Sequence, residues 1–193
     1  MNLRDLMISK VRVKLLEIFF ADPNEMFYVR DLVRKTKEEI NAVRRELLHL
    51  EKSGLVKKEP RGNRLYYWLR RDYPFYSDLS SMIAKTTGLG GKIVKNRAKL
   101  GRISSVLFSG KFTKRLTKGT QPVDVLIIGE VVLPELAALI REEEKNRDSE
   151  INYTVMSLEE FTFRKKRHDP FLMEIIYGPR VMILGQEEDL LLE

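Results

Sequence analysis

The sequence predicts an α+β fold with a helical N-terminal domain that ends in a β-hairpin, a helical linker, and a C-terminal α/β domain. Apolar residues recur at helical spacing over residues 4–20 and 40–50. A cluster of turn-forming residues at 60–63 separates two short β-type segments. After residue 103, apolar runs typical of strands alternate with helical segments. These patterns predict domains at 1–72 and 103–193, joined by a linker at 73–102.

The charge of the chain is unevenly distributed. The 193 residues include 35 Lys and Arg against 28 Asp and Glu, a net charge of +7. Residues 1–104 hold 23 basic against 12 acidic residues, a net of +11, whereas residues 105–193 hold 12 against 16, a net of −4. We therefore expect only the first half to face a polyanion.

Residue usage excludes several kinds of chemistry. The chain has no cysteine, which excludes disulfides, thiolate nucleophiles and Cys-ligated zinc. The two histidines, His49 and His168, are far apart in the sequence, so we predict no metal and no cofactor. No apolar run reaches the roughly 20 residues that span a bilayer, and the N-terminus has no signal-peptide pattern. We therefore expect a cytoplasmic protein with no membrane partner.

The first 35 residues predict two helices. Residues 4–20 are expected to form the first, and Asp22-Pro23-Asn24 to end it, because proline disfavours helix at the preceding residue. Its buried face is expected to comprise Leu6, Val11, Leu15, Ile18 and Phe19. Phe27-Tyr28-Val29 is predicted as a short strand or a buried hinge, and residues 30–35 as a short second helix.

A third helix is predicted from Thr36, a favourable N-cap residue, to about Ser53. Gly54 follows it, where a left-handed residue commonly ends a helix. The buried stripe is expected to be Ile40, Val43, Leu47 and Leu50. The outward face is expected to carry Asn41, Arg44, Arg45, Leu48 and His49.

A basic β-hairpin follows the third helix. Residues 55–59 and 64–69 read as strands, and Pro60-Arg61-Gly62-Asn63 as the turn between them. The tip carries two arginines and an asparagine and little apolar surface. It therefore has no reason to pack against the protein itself.

Leu47-x-x-Leu50-x-x-x-Gly54-Leu55-Val56, followed by a basic hairpin, resembles the winged helix-turn-helix of arsenic-repressor-like regulators. The resemblance implies a double-stranded DNA partner, a recognition helix at about 37–53 in the major groove, and a wing at 57–64 on the adjacent backbone or minor groove. Arg and Asn side chains match guanine and adenine edges, and basic wing residues suit phosphates. The DNA-binding residues predicted in this way are Lys37, Asn41, Arg44, Arg45, Lys57, Lys58, Arg61, Asn63 and Arg64.

The linker begins after Tyr73-Pro74. Residues 75–86 are predicted to be helical, Gly88–Gly91 to form a flexible joint, and Lys92–Arg102 to form a basic helix. Because such regulators often dimerise through a helix after the wing, we predict a homodimer. Its candidate contact residues are Phe75, Leu79, Met82 and Ile83.

The C-terminal half predicts strands at 103–109, 123–129, 151–156 and 181–185. Helices are expected at 133–144, after Ser157, and at 170–176. Ser109-Gly110-Lys111 follows the first strand, and Pro122-Val123-Asp124 begins the second.

This half resembles the minimal nucleotidyltransferase domain of the polymerase-beta-like superfamily, in which Gly-Ser follows one strand and Asp-x-Asp lies on the next. Gly110 matches the Gly, but Lys111 replaces the Ser. Asp124 matches the second Asp, but Pro122 replaces the first. The third carboxylate position carries Asn152, and Glu150 lies two residues earlier, out of register.

In that family the carboxylates hold two divalent metals that activate the attacking hydroxyl. One carboxylate cannot hold two Mg²⁺ ions against water. We therefore predict an inactive domain that serves as a ligand sensor or a dimerisation body. Gly110, Lys111 and Asp124 would be the remnant of a nucleotide site, with Lys114 and Arg115 nearby for a phosphate.

The predicted function is thus that of a DNA-binding transcriptional regulator without enzymatic activity. One alternative is an active metal-dependent nucleotidyltransferase that uses Asp124 and Glu150, as in a toxin–antitoxin-like system, with an appended DNA-binding module. Another is an RNA-binding adaptor. Tyr66, Tyr67 and Trp68 speak against an RNA-stacking sheet, because alternate residues face opposite sides of a strand.

Overall fold

The computed structural model of the chain describes residues 9–114, 122–147 and 149–191, with only the backbone described at residues 114 and 191. It has a mixed α+β fold with two sheets. The chain divides into two compact units, Met1–Ile83 and Ala84–Glu193, and this division lies within the segment predicted as a linker. No helix within the described ranges is long and apolar enough to cross a membrane.

From residue 9 onward, the described part of unit 1 contains three helices, a three-stranded sheet and most of a fourth helix. In chain order these are α1 (Lys10–Ala21), β1 (Phe27–Tyr28), α2 (Val29–Thr36), α3 (Ile40–Lys52), β2 (Val56–Arg61), β3 (Arg64–Leu69) and α4 (Tyr76–Thr86), which continues past the division between the units. The sheet has the order β1-β3-β2, and both pairings are antiparallel. The predicted order of helix, helix, helix and hairpin is confirmed.

Helix α1 starts later than the sequence pattern indicates. Ser9 has extended backbone and its hydroxyl accepts a hydrogen bond from the Arg12 N–H at 3.3 Å. This cap sets the first helical residue at Lys10, so the prediction of continuous helix from residue 4 is wrong at Ser9. Leu6 lies outside the described residues. The helix ends at Ala21, before Asp22-Pro23, as predicted.

The turn between α2 and α3 corrects the predicted helix start. Thr36 is the last residue of α2, and its buried hydroxyl donates to the Leu32 carbonyl at 2.7 Å. Lys37 follows in the left-handed conformation, with φ of 55°. The cap of α3 is Glu39, whose carboxylate accepts from the N–H groups of Asn41 at 2.7 Å and Ala42 at 3.0 Å. Thr36 cannot cap α3 because its hydroxyl already completes the preceding helix.

Helix α3 packs on α1 and α2 through the stripe that the sequence predicts. Val43, Leu47 and Leu50 are buried, and Ile40 is half-buried. At its end Gly54 has φ of 82°, and the Leu55 N–H reaches back to the Leu50 carbonyl at 3.1 Å. This is the left-handed termination expected there.

The hairpin turn is shorter than predicted. Pro60 and Arg61 belong to β2, and only Gly62 and Asn63 form the turn. Gly62 has φ of 60°, which suits a two-residue hairpin turn with glycine at the first central position. Pro60 is tolerated within a strand because β2 lies at the sheet edge, where a missing N–H need not break the ladder.

Helix α4 confirms the predicted helix at residues 75–86. Of the residues proposed as dimer contacts, some are buried within unit 1 and others are exposed. Tyr76 and Ile83 are buried in the unit 1 core, and the Tyr76 ring lies 5.4 Å from that of Phe20. Phe75 remains 62% exposed and Met82 36% exposed. Ile83 is therefore occupied within the chain.

Unit 2 is built on a four-stranded sheet with apolar residues on both faces. Its elements are α5 (Gly88–Lys95), β4 (Gly101–Ser109), α6 (Gly110–Lys114), β5 (Val125–Val131), α7 (Leu133–Arg147), β6 (Tyr153–Met156), α8 (Leu158–Lys166), α9 (Pro170–Tyr177), β7 (Arg180–Leu184) and α10 (Glu187–Leu191). The sheet order is β6-β5-β4-β7, with β5 and β6 parallel and the other pairs antiparallel. Leu126 and Ile127 belong to different core clusters, which explains the uninterrupted apolar run of β5.

The glycines at 88–91 do not form the flexible joint that the sequence suggested. They begin helix α5, and a Cβ added at Gly90 would overlap the carbonyl oxygen of Ala84. Close packing therefore requires glycine at this position. The predicted helix over Lys92–Arg102 is also wrong beyond Lys95, because Gly101 and Arg102 already belong to β4.

Candidate nucleic-acid interface

The exposed side of α3 carries a set of polar and basic side chains. The residues predicted to face outward, Asn41, Arg44, Arg45, Leu48 and His49, are all exposed. The buried residues of α3 are spaced three or four residues apart, so they lie on one side of the helix and the residues between them face away from the core. This side of the helix is thus available for a ligand of opposite charge.

An ion pair anchors α3 to α1. The buried Glu46 carboxylate accepts a hydrogen bond from Arg12 Nε at 2.9 Å. Burial opposes ionisation of this carboxyl, but hydrogen bonds from Ser9 and Arg12 and the charges of Arg12 and His49 outweigh it, so the pKa of Glu46 lies below its ordinary value. The carboxylate therefore stays charged at neutral pH and fixes the helix that presents the exposed side chains.

A second ion pair joins α3 to the β2–β3 hairpin. Lys58 Nζ lies 2.8 Å from Glu51 Oε2, and this hydrogen bond raises the pKa of Lys58. Burial raises the pKa of the neighbouring Tyr67, and the charges of Lys58 and Arg44 act on it in the opposite direction. Lys58 is the cross-strand neighbour of Tyr67. The structure thus brings one predicted residue of the hairpin into contact with α3.

The remaining basic residues of the hairpin lie on its other side. The Arg61 guanidinium lies 5.9 Å from the ring centre of Tyr66, and that of Arg64 lies 4.9 Å from the ring centre of Tyr28. Lys57, Glu59 and Arg61 are alternate residues of β2, and alternate side chains of a strand point to the same face of the sheet. Lys57 therefore lies on the same face as Arg61. The hairpin thus presents cations on two surfaces instead of one.

Lys37 and Asn63 lie in turns and are exposed. Lys37 precedes α3 and is not part of the helix, which shortens the predicted 37–53 segment to Ile40–Lys52. Beside it, Lys14 of α1 donates to the Thr36 carbonyl at 2.8 Å and pairs with Glu38. These contacts fasten the turn that leads into α3.

Sequence reasoning missed three glutamates that shape this surface. Glu39 caps α3, Glu46 ties it to α1, and Glu51 ties it to the hairpin. The position of Glu39 just before the periodic residues was a usable signal. No sequence signal marked the other two, because their partners come from other elements.

The second group of predicted residues, Gly110, Lys111 and Asp124, lies at one end of the unit 2 sheet. The Ser109 N–H donates to the Asp124 carbonyl at 2.9 Å, so the ends of β4 and β5 are adjacent. Asp124 is buried, and its Oδ2 accepts from the Asn152 N–H at 2.9 Å. The Gly110 N–H donates to the Pro179 carbonyl at 2.6 Å. Backbone partners therefore occupy one oxygen of Asp124 and the amide of Gly110.

Other residues of this second group are described only in part. Lys111 is half-buried, and Glu150 and Asn152 are exposed. The predicted phosphate contact Arg115 and the side chain of Lys114 lie outside the described residues. Across ranges 9–114, 122–147 and 149–191, no group of three or more His, Asp or Glu side chains is placed to hold a metal ion.

Comparison with protein-family models, curated proteins and solved structures finds no significant match to this chain. Its function is therefore inferred from the residues and contacts described above.

Proposed function

We propose that this chain is a cytoplasmic transcriptional regulator whose unit 1 is a winged helix-turn-helix that binds double-stranded DNA. The observation that carries the proposal is the ion pair between Glu51 of α3 and Lys58 of the β2–β3 hairpin, which holds the hairpin beside the helix. A helix and a hairpin tied in this way form one cationic surface. In this proposal α3 is the recognition helix and the hairpin is the wing.

The exposed side of α3 supplies the chemistry for reading base edges. Arg44 and Arg45 can each donate two hydrogen bonds to O6 and N7 of guanine, and Asn41 can pair with N6 and N7 of adenine. The long arginine stems start from an exposed face and need no rearrangement of the core. We assign sequence discrimination to these three side chains.

The wing and the turn before α3 supply the contacts to phosphates. Lys58 lies on the α3 side of the hairpin, and Lys37, Arg61, Asn63 and Arg64 lie in or beside exposed turns. Phosphate contacts give affinity without sequence information. They also make affinity depend on salt, because each neutralised phosphate releases condensed counterions.

Fluorescence anisotropy tests this proposal. The full-length protein is titrated with the labelled duplex from upstream of its own gene, with duplexes selected on the protein from a random-sequence pool, and with a scrambled duplex, at several salt concentrations. We expect a preferred duplex to bind about a thousandfold more tightly than the scrambled one at physiological salt.

Three variants locate the interface. Arg44→Ala and Arg45→Ala should each weaken specific binding by about 1–3 kcal/mol and relax preference at one base pair. Arg141→Ala removes the same charge from an exposed position in unit 2 and should leave affinity unchanged. Equal weak binding to every duplex, or equal effects of all three variants, would mean that only a general basic surface is present.

The proposal for unit 2 is a nucleotidyltransferase-like domain that no longer transfers nucleotides and serves as a sensor or dimerisation body. It is supported by Asp124, which directly precedes β5 and accepts from the Asn152 backbone. In the resemblance, Pro122 and Asn152 stand where the family carries further carboxylates. Incubation with labelled nucleoside triphosphates and Mg²⁺ should give no incorporation. Incorporation that Asp124→Ala abolishes would establish the enzymatic alternative instead.

A homodimer completes the proposal, because the DNA sites of such regulators are usually two-fold symmetric. Phe75, 62% exposed at the start of α4, is the side chain we assign to the contact. Sedimentation of wild type and Phe75→Asp should show a dimer and a monomer, respectively. A monomeric wild type at micromolar concentration would remove this part of the proposal.

A further inference from the structure

The unit 1 sheet has an outer face that is opposite the core. Within β3, Tyr67 and Leu69 are buried in the core, whereas Tyr66 and Trp68 alternate with them and are half-buried. Strand pairing places Tyr28 of β1 directly beside Tyr66. The outer face therefore carries three aromatic residues, Tyr28, Tyr66 and Trp68.

Cationic side chains stand among these rings. The ring centres of Tyr28 and Tyr66 are 5.9 Å apart, with a guanidinium over each: Arg64 at 4.9 Å from Tyr28 and Arg61 at 5.9 Å from Tyr66. Lys57 is the cross-strand neighbour of Trp68. Aromatic planes and guanidinium planes thus share one surface.

The charge of the outer face and the spacing of its aromatic residues indicate which class of ligand it can bind. Its cations include Lys57, Arg61 and Arg64, with the carboxylate of Glu59 beside Arg61, so a polyanion is favoured. Tyr66 and Trp68 are two residues apart on one strand, a separation of about 7 Å, which allows stacking on neighbouring bases. A duplex keeps its base faces stacked inside the helix, whereas a single strand exposes them.

We infer that the outer face binds the unpaired bases of a single-stranded nucleic acid. Bases stack on Tyr28, Tyr66 and Trp68, and the phosphates contact the surrounding cations. The alternation of Tyr66, Tyr67 and Trp68 is as the sequence predicted. What the sequence did not show is Tyr28, which the fold places beside Tyr66. This inference does not rest on duplex binding. It concerns a surface other than α3 and shares with the proposed duplex interface only the wing residues Arg61 and Arg64.

Trp68 is the only tryptophan of the chain, so its fluorescence reports on this surface directly. The full-length protein is titrated with unlabelled single strands of about 15 nucleotides, oligo(dT) in one arm and oligo(U) in the other, and with a blunt duplex in a third. We expect saturable quenching by a single strand, since a stacked base contacts the indole, and weakening of this binding with salt. The two single-stranded arms distinguish DNA from RNA.

Matched variants separate this site from α3. Tyr66→Leu removes the stacking ring but keeps an apolar strand residue, and it should weaken single-strand binding about tenfold or more without changing duplex affinity. Arg44→Ala should leave single-strand binding unchanged. If circular dichroism shows that Tyr66→Leu is unfolded, Lys57→Gln, at an exposed position beside Trp68, takes its place and should weaken single-strand binding severalfold. The inference is overturned if neither single strand quenches Trp68, or if these outer-face variants bind like wild type.

Discussion

The ion pair between Glu46 and Arg12 holds α3 in position, and its contribution to stability follows from its burial. The Glu46 side chain is 9% exposed and that of Arg12 is 40% exposed. Glu46→Gln keeps the shape of the side chain and removes its charge. A hydrogen bond to a charged group contributes about 1.5–3 kcal/mol and a neutral one about 0.5–1.5 kcal/mol. We therefore expect this variant to lower the free energy of unfolding of unit 1 by about 1 kcal/mol.

The contribution of Glu46 to stability depends on pH. The pKa of Glu46 is lower in the folded chain than in the unfolded one, so the ionised carboxylate stabilises the fold above the unfolded pKa of about 4.3. This contribution is lost as the pH falls through the folded pKa. The difference between wild type and Glu46→Gln should be full at pH 7 and should shrink as the pH falls through the lowered pKa of folded Glu46.

Urea denaturation followed by Trp68 fluorescence measures the effect. The single tryptophan lies in unit 1, so the signal reports on that unit. Arg12→Met is the companion variant: it leaves the Glu46 carboxylate buried without this partner and should cost about 2–3 kcal/mol at pH 7. A Glu46→Gln protein as stable as wild type at pH 7, or a difference between the two that does not decrease as the pH is lowered, would refute the reasoning.

Further predictions concern the cap of α3 and two glycines. Glu39→Ala removes the side chain that accepts from two N–H groups of α3 and should destabilise unit 1 by about 1 kcal/mol; an unchanged urea midpoint would mean that water replaces the cap without loss. Gly62→Ala meets no atoms within 4 Å but keeps φ of 60°, so it should cost only the left-handed strain, about 1–2 kcal/mol. Gly90→Ala places a methyl group on the Ala84 carbonyl and should lower the melting temperature in circular dichroism clearly more than Gly62→Ala; equal losses would contradict the close packing of α5.

Local sequence chemistry determined most elements of the fold. The apolar spacing of Val43, Leu47 and Leu50 predicted the buried side of α3, and by difference its exposed side. Gly54 predicted the end of that helix, because left-handed backbone costs glycine little. These inferences succeed because they depend on neighbours within a few residues.

The predictions from sequence were wrong where a residue is compatible with two different local structures. Thr36 could cap a following helix or complete the preceding one, and its burial decided for the latter. Gly90 could serve a flexible joint or close packing, and the nearby Ala84 carbonyl decided for packing. Pro60 could form a turn or occupy an edge strand, and the pairing of β2 with β3 alone decided for the strand. In each case the deciding contact is tertiary or depends on register.

The sequence by itself determined the charge division of the chain, the helix that carries Asn41, Arg44 and Arg45, and the basic character of the hairpin. These properties follow from composition and from the periods of 3.6 and 2 residues. Only the tertiary structure decided which cations share a surface: Lys58 lies beside α3 because Glu51 holds it there, whereas Arg61 and Arg64 lie over Tyr66 and Tyr28. The physical reason is that ion pairs and ring contacts between elements depend on strand register and helix packing, which bring together residues distant in sequence.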